Sequence, residues 1–269
     1  MVKLFVSDLD GTMVISGKNP SEKNIAAVQK MINAGITVTV ATGRMYRAAL
    51  PIAKALGIEF PIITYNGALI KSVKGEILHS DYFPTDLLLA VTKFFEKNNW
   101  YVHNYSDDEL FIPFRSPFTE WYETTQRVQA QIIGWEGMLQ KTERVCKLLA
   151  INESAEENMR REKMLLAEFE GKIEITKSHP RIMEIMLPGV SKAAAIKILA
   201  QKLGIERSEV MAIGDSDNDL AMLQAAGQSI AMGNATDEVK KSCNFLTTGC
   251  EEDGVAYAVE KFVLGGSAE

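Results

Sequence analysis

Three short apolar runs, Leu4 to Ser7, Ile36 to Ala41 and Pro61 to Tyr65, are separated by stretches of helical periodicity. Strand, helix, strand, helix, strand in that order demands a parallel sheet joined by right-handed crossovers. The second run, ITVTVA, is β-branched and apolar, which is how a strand reads when both of its faces are covered. Between the first two runs, Ser21 stands as a helix N-cap. Ile25, Val28 and Ile32 follow at helical spacing, and Gly35 stops the helix. Between the second and third, the spacing predicts a helix over Met45 to Leu56, stopped by Gly57. Pro51 inside it is expected to kink it or break it in two. Ala68 to Ser72 and Glu76 to Ser80, with Lys74-Gly75 between them, read as a hairpin.

From Phe83 the rhythm changes. Helices are predicted over Thr85 to Lys97, Pro117 to Gln131, and from a Ser154 cap to Phe169. Strands are predicted over Trp100 to Tyr105, Leu110 to Phe114, Cys146 to Asn152, Lys172 to Lys177 and Ile182 to Leu187. This block reads as an α+β unit rather than more parallel βαβ. Gln126 to Arg144 carries no clear period. After Pro188-Gly189 the βα rhythm returns, with helices over Ser191 to Leu203, Asp219 to Ala226 and Thr236 to Ser242. Strands there are Glu209 to Ile213, Gln228 to Met232 and Phe245 to Thr247, and the tail GGSAE reads as disordered. The expected organisation is one α/β core split in sequence, residues 1–82 and 188–269, with an α+β domain inserted at 83–187.

The 269 residues suffice for a substantial core, and 46% hydrophobic with 24% charged residues is ordinary for a soluble globular protein. A formal charge of -6 argues against a nucleic-acid partner, because there is no net basic field to attract a phosphate backbone. A small phosphorylated ligand needs only a local positive pocket and stays open. Cys146, Cys243 and Cys250 are odd in number and lack CxxC spacing, so a reducing cytoplasm fits better than a disulfide framework or a zinc site. The apolar start of the chain is broken by Lys3 and Asp8, which is neither a signal peptide nor a membrane span.

Polar motifs follow the strands. Asp8-Leu9-Asp10-Gly11-Thr12 comes directly after the first run, where parallel sheets place their ligand sites. Two carboxylates so spaced can converge on one metal or one reacting group; the alternative is an Asp-rich turn. Gly214-Asp215-Ser216-Asp217-Asn218-Asp219 crowds carboxylates that repel unless a cation sits among them. Oxygen-only ligands suit magnesium, and an EF-hand fails because no acidic residue stands at the loop's twelfth position. Asp217 alone reads as a solvated cap. Thr42-Gly43-Arg44 offers a hydroxyl and backbone N–H groups at a helix start, as a phosphate cradle or an ordinary cap. Lys192, early in a helix, would by itself be a surface lysine; the company of the other motifs singles it out.

DLDGT, ATGR, GVSK and GDSDND occur in the order and spacing of the haloacid dehalogenase superfamily, which the chain resembles. From Glu184 to Ala256 it is similar to the Cof-type phosphatase branch; over the whole chain it departs from the family's pattern at Ala193 and at Met13, neither a reacting group. The resemblance implies a Rossmann-like parallel-sheet core with an inserted C2B cap, and a magnesium-dependent phosphatase acting on a small phosphorylated metabolite such as a sugar phosphate. By that resemblance Asp8 is the nucleophile that forms an aspartyl-phosphate, and Asp10 is the acid and base. Asp8, the Asp10 backbone carbonyl and Asp215 hold magnesium. Thr42, Gly43, Lys192 and Asn218 contact phosphate, and Asp219 holds metal-bound water or orients Lys192. The cap is expected to close over the substrate and read its leaving group. The segment KSHPRIMEI offers His179, Arg181 and Glu184 for that reading, with a solvated loop as the plainer alternative. Arg44 either reaches substrate or braces its loop. Trp121 and Tyr122 read as cap core.

Two rivals remain. A phosphomutase of the phosphomannomutase type would call for a cap pocket rich in arginine, and the arginines of the inserted block are scattered. A non-catalytic metabolite-binding regulator would have no need of both Asp8 and Asp10. A dehalogenase ranks lower still, having no use for Asp10. The substrate's identity, the oligomeric state and the pathway are not readable from the residues.

Overall fold

The computed structural model describes residues 1–265, and its chain divides into two compact units, 1–79 with 191–269 and 80–190. The expectation of disorder for GGSAE falls, apart from Gly265, on positions outside the described residues. Among the described residues no helix is long and apolar enough to cross a membrane.

The first unit opens with strand β1 (Leu4–Ser7), buried throughout. Helix α1 (Glu22–Asn33) follows, its Ser21 cap accepting a hydrogen bond from the Asn24 N–H. Such a cap contributes about 1 kcal/mol. The buried face of α1 is Asn24, Ala27, Val28 and Met31, one step round from the expected Ile25, Val28, Ile32 stripe. Asn24 is inside because both ends of its amide are used, by the Met13 carbonyl and the Ala256 N–H. Strand β2 (Thr37–Val40) leads to helix α2 (Tyr46–Ala55). Pro51 does not break α2 in two. The buried Ala48, Ala49, Ile52 and Ala53 hold it together against a proline cost of about 3 kcal/mol, and the proline itself faces solvent.

Strand β3 (Ile62–Thr64) differs from expectation. It meets the parallel sheet only through a bridge between Ala41 and Ile63, and instead pairs antiparallel with β4 (Leu69–Lys71), which leads to β5 (Ile77–Ser80). The expected hairpin is therefore joined to the third strand as a small sheet of its own.

The second unit runs through α3 (Thr85–Asn98), β6 (His103–Ser106), β7 (Glu109–Ile112), α4 (Thr119–Gln126), β8 (Ala130–Ile132), α5 (Gly134–Gln140), β9 (Leu148–Ile151), α6 (Ala155–Glu168), β10 (Glu174–Thr176) and β11 (Ile182–Met186). Its sheet order is β10-β11-β9-β6-β7-β8. The helix expected over Pro117 to Gln131 stops at Arg127, which turns left-handed so that β8 can join the sheet edge beside β7. One sheet face packs under the helices through Val102, Phe111, Leu148, Ala150, Met183 and Ile185. Period-two alternation turns His103, Tyr105, Lys147 and Glu184 to the other face. There Tyr101, His103, Tyr105 and Tyr122 form a hydrogen-bonded chain, and the Lys147 ammonium pairs with Glu184. Glu184 thus lies within the strand expected over Ile182 to Leu187, and its carboxylate is buried against Lys147 rather than in a solvated loop. Both members of that pair are 2% exposed. Lys147→Met would strand a buried carboxylate, and it is expected to destabilise the protein by about 3–5 kcal/mol, read as a fall in the thermal unfolding midpoint. The double change Lys147→Met with Glu184→Leu should recover most of that loss.

The chain returns to the first unit with α7 (Lys192–Leu203), capped by Ser191, then β12 (Val210–Gly214), α8 (Leu220–Ala225), β13 (Gln228–Ala231), α9 (Asp237–Ser242), β14 (Phe245–Leu246) and α10 (Gly254–Ala258). The helical stretch over 250–263 was not anticipated. The main sheet is all parallel in the order β14-β13-β12-β1-β2, the α/β architecture the rhythm predicted.

Candidate active site

Strand β1 lies between β12 and β2, with Ser7 level with Ile213 on one side and Val40 on the other. The chain segments leaving the carboxyl ends of these three neighbours carry Asp8, Asp215 and Thr42. Crossover topology therefore gathers three motifs from distant parts of the sequence at one sheet edge.

Lys192, at the first turn of α7, is buried and donates hydrogen bonds of 2.6 Å to Asp8 Oδ1 and of 2.6 Å to Asp219 Oδ1. Burial lowers the affinity of its amine for a proton, but Asp219 and Asp8 outweigh that and hold it well above the ordinary lysine range. Asp219 is fully buried, and its other oxygen accepts the N–H groups of Asp215 and Ser216 at 3.1 Å each. Asp219 therefore braces both Lys192 and the loop that bears Asp215.

Burial, and then the Asp219 charge, push the Asp8 carboxyl well above its usual range, against the pull of Lys192. Burial likewise pushes Asp215 up to about 6, with Asp219 and Asp10 adding to it, although Thr12 donates a 2.6 Å hydrogen bond to its Oδ1. Asp8, Asp215 and Asp219 each offer an oxygen within 4.8 Å of the others. Carboxylates so crowded are the chemistry of a cation site, and an all-oxygen donor set fits a hard divalent ion. Gly11 is required beside them: its φ is +81°, and a Cβ there would lie 2.5 Å from Asp215 Oδ2.

Asp10 is gripped by Arg44, whose Nε donates to Oδ2 at 2.7 Å and whose Nη2 donates to Oδ1 at 2.6 Å. Arg44 is 4% exposed and Asp10 30%, so a buried guanidinium fork orients a partly open carboxylate. Thr42 is not a helix cap. Helix α2 begins later, after Met45, and the Thr42 hydroxyl accepts the Arg44 N–H at 3.1 Å within the preceding bend. Asn218 accepts a 2.6 Å bond from the Ser216 hydroxyl, and Asp217 accepts one from Thr236 rather than capping α8.

The first unit thus brings together Asp8, Asp10, Arg44, Lys192, Asp215 and Asp219, with Thr42 and Gly43 on the loop that bears Arg44. His179 and Arg181 lie in the second unit, exposed, the His179 ring accepting the Arg181 N–H and the guanidinium lying over Phe118. Sequence reasoning missed the part of Thr12, although it stood in the DLDGT motif. It also missed Asn234, which donates to the Gly11 carbonyl and accepts from the Cys250 N–H.

Residues 5–259 match the family described as haloacid dehalogenase-like hydrolase. Two Bacillus subtilis proteins named 5-amino-6-(5-phospho-D-ribitylamino)uracil phosphatase are similar to the chain. One is 29% identical, covering 98% of this chain and 99% of its own, and the other 30% identical, covering 98% and 96%. Among solved structures, a haloacid dehalogenase-like hydrolase from Bacteroides thetaiotaomicron superposes with a TM-score of 0.89 at 29% identity, covering 97% of this chain and 99% of that one.

Proposed function

The chain belongs to the haloacid dehalogenase-like hydrolase family and is a phosphoric monoester hydrolase, and from that premise we propose that it hydrolyses a small phosphorylated metabolite in the cytoplasm with Asp8 as nucleophile and magnesium as cofactor. The observation that carries the reading is the buried cluster at the end of β1. There the Asp8 carboxylate is held by the Lys192 ammonium and flanked by Asp215, a second carboxylate suited to a cation.

An Asp8 oxygen bonds to phosphorus as the bond to the leaving oxygen breaks, and Asp10 delivers the proton that oxygen needs. Water then attacks phosphorus, Asp10 takes its proton, and the bond to Asp8 breaks. Lys192 holds the Asp8 carboxylate and, with Thr42, the Gly43 amide and Asn218, receives the phosphoryl oxygens. Arg44 fixes the direction in which Asp10 hands over its proton. Asp8, the Asp10 backbone carbonyl and Asp215 would hold magnesium, which when bound neutralises phosphoryl charge. The inserted unit, 83–187 in the sequence reading, would choose the leaving group, with His179 and Arg181 as candidate contacts.

Phosphate release from p-nitrophenyl phosphate tests this. Excess EDTA is expected to remove all but about 1% of the rate; magnesium should restore it and calcium should restore little, since its looser shell misplaces the nucleophile. Full activity in metal-free buffer would refute the role given to Asp215. A panel of phosphorylated metabolites ranked by kcat/KM would then name the substrate class.

A further inference from the structure

After β3 the backbone turns through three successive positive φ values, Tyr65 at 51°, Asn66 at 55° and Gly67 at 108°. All three residues are buried. Left-handed dihedrals at consecutive non-glycine residues are unfavourable and persist only where the surroundings enforce them.

In an extended strand consecutive N–H groups point to opposite edges. Here the Tyr65 N–H donates to the Arg44 carbonyl at 2.9 Å and the Asn66 N–H donates to the Thr42 carbonyl at 3.0 Å. Both therefore face the loop that leaves β2. A trans peptide points its C=O and N–H in opposite directions. Drawing the Thr42 carbonyl toward the turn therefore aims the Gly43 N–H, which shares that plane, away from the turn. The next residue abuts α7: a Cβ on Gly67 would lie 2.2 Å from the Ser191 carbonyl oxygen and 3.1 Å from the Lys192 backbone nitrogen. One turn thus touches the backbone of both elements assigned to the phosphate.

We propose that the left-handed turn Tyr65-Asn66-Gly67 is a positioning element of the phosphate site, setting the direction of the Gly43 amide and the seat of Lys192 through its backbone. This rests on the reading of Thr42, Gly43 and Lys192 as phosphate ligands. Asn66 serves because asparagine tolerates the left-handed region, and Gly67 because no side chain fits against Ser191.

The test compares Gly67→Ala, Asn66→Val and Asn66→Gly with the wild type, in magnesium. It measures inorganic phosphate binding by calorimetry, kcat and KM on p-nitrophenyl phosphate, and far-UV circular dichroism. Gly67→Ala and Asn66→Val are expected to bind phosphate at least about tenfold more weakly and to lose about a hundredfold in kcat, with the dichroism spectrum kept. Asn66→Gly, which permits the same dihedrals without the side chain, should stay within about twofold of wild type on both counts. Unchanged phosphate affinity and kcat in Gly67→Ala and Asn66→Val would overturn the proposal. So would an Asn66→Gly loss as large as that of Asn66→Val, which would make the amide side chain the agent. Loss of the fold in both Gly67→Ala and Asn66→Val would overturn it too, making the turn a stability element. Wild-type protein that binds phosphate but hydrolyses no phosphomonoester would refute the enzymatic reading and leave the binding comparison to decide the turn.

Discussion

Asp8→Asn is expected to lower kcat by at least about 10³ while the protein stays folded. The amide is a poor nucleophile, and it removes one negative charge from a cluster in which Asp8 and Asp215 already resist ionisation. Lys192 keeps its bond to Asp219, and the amide oxygen can still accept a hydrogen bond, so no buried charge is orphaned. The thermal midpoint should therefore stay close to that of wild type or rise. Steady-state kinetics beside a melting curve separate the two effects. A variant retaining a tenth of the wild-type rate would remove Asp8 from the chemistry.

Asp10→Asn is expected to impair both half-reactions, by about 10²–10⁴ on a substrate with a basic leaving group. A sugar phosphate leaves as an alkoxide and needs the proton; a nitrophenolate does not. The initial phosphoryl-transfer rate should thus fall much further on the sugar phosphate than on the aryl ester. Single-turnover kinetics should show an early burst of nitrophenolate once water attack limits. The asparagine still fits between the Arg44 donors less well than a carboxylate does, because only one of its two ends accepts. Equal losses on both substrates, with no burst, would mean that Asp10 merely positions its loop.

The core, and the convergence of its polar motifs on one sheet edge, were largely legible in the residues for a physical reason. Strands of a parallel sheet are continuous apolar runs, so Leu4–Ser7, Thr37–Val40 and Val210–Gly214 stood out, and the polar motif after each marked a strand end. What escaped depended on partners far along the chain. Arg44 grips Asp10 across 34 positions and Thr12 reaches Asp215 across 203, and no local period encodes either. Tyr65, the first residue of the left-handed turn after β3, was read as strand because it has the composition of one; the turn's dihedrals answer to the Thr42 and Arg44 carbonyls. Pro51 leaves α2 undivided because its local cost is outweighed by the buried face of the helix. In 126–144, β8 spans only Ala130–Ile132 at a sheet edge and α5 only Gly134–Gln140, too short for a period to declare itself. The helical turns over 250–263 are likewise short.

The proposed covalent step can be tested directly. Asp10→Asn protein mixed with p-nitrophenyl phosphate and magnesium should accumulate the intermediate, because water attack has lost its base. Acid quenching followed by borohydride converts an aspartyl-phosphate to homoserine, and peptide mass spectrometry locates it. The account predicts homoserine at position 8, absent when substrate is omitted. Homoserine at another aspartate, or an unmodified Asp8 in protein that has released a stoichiometric burst of nitrophenolate, would contradict it.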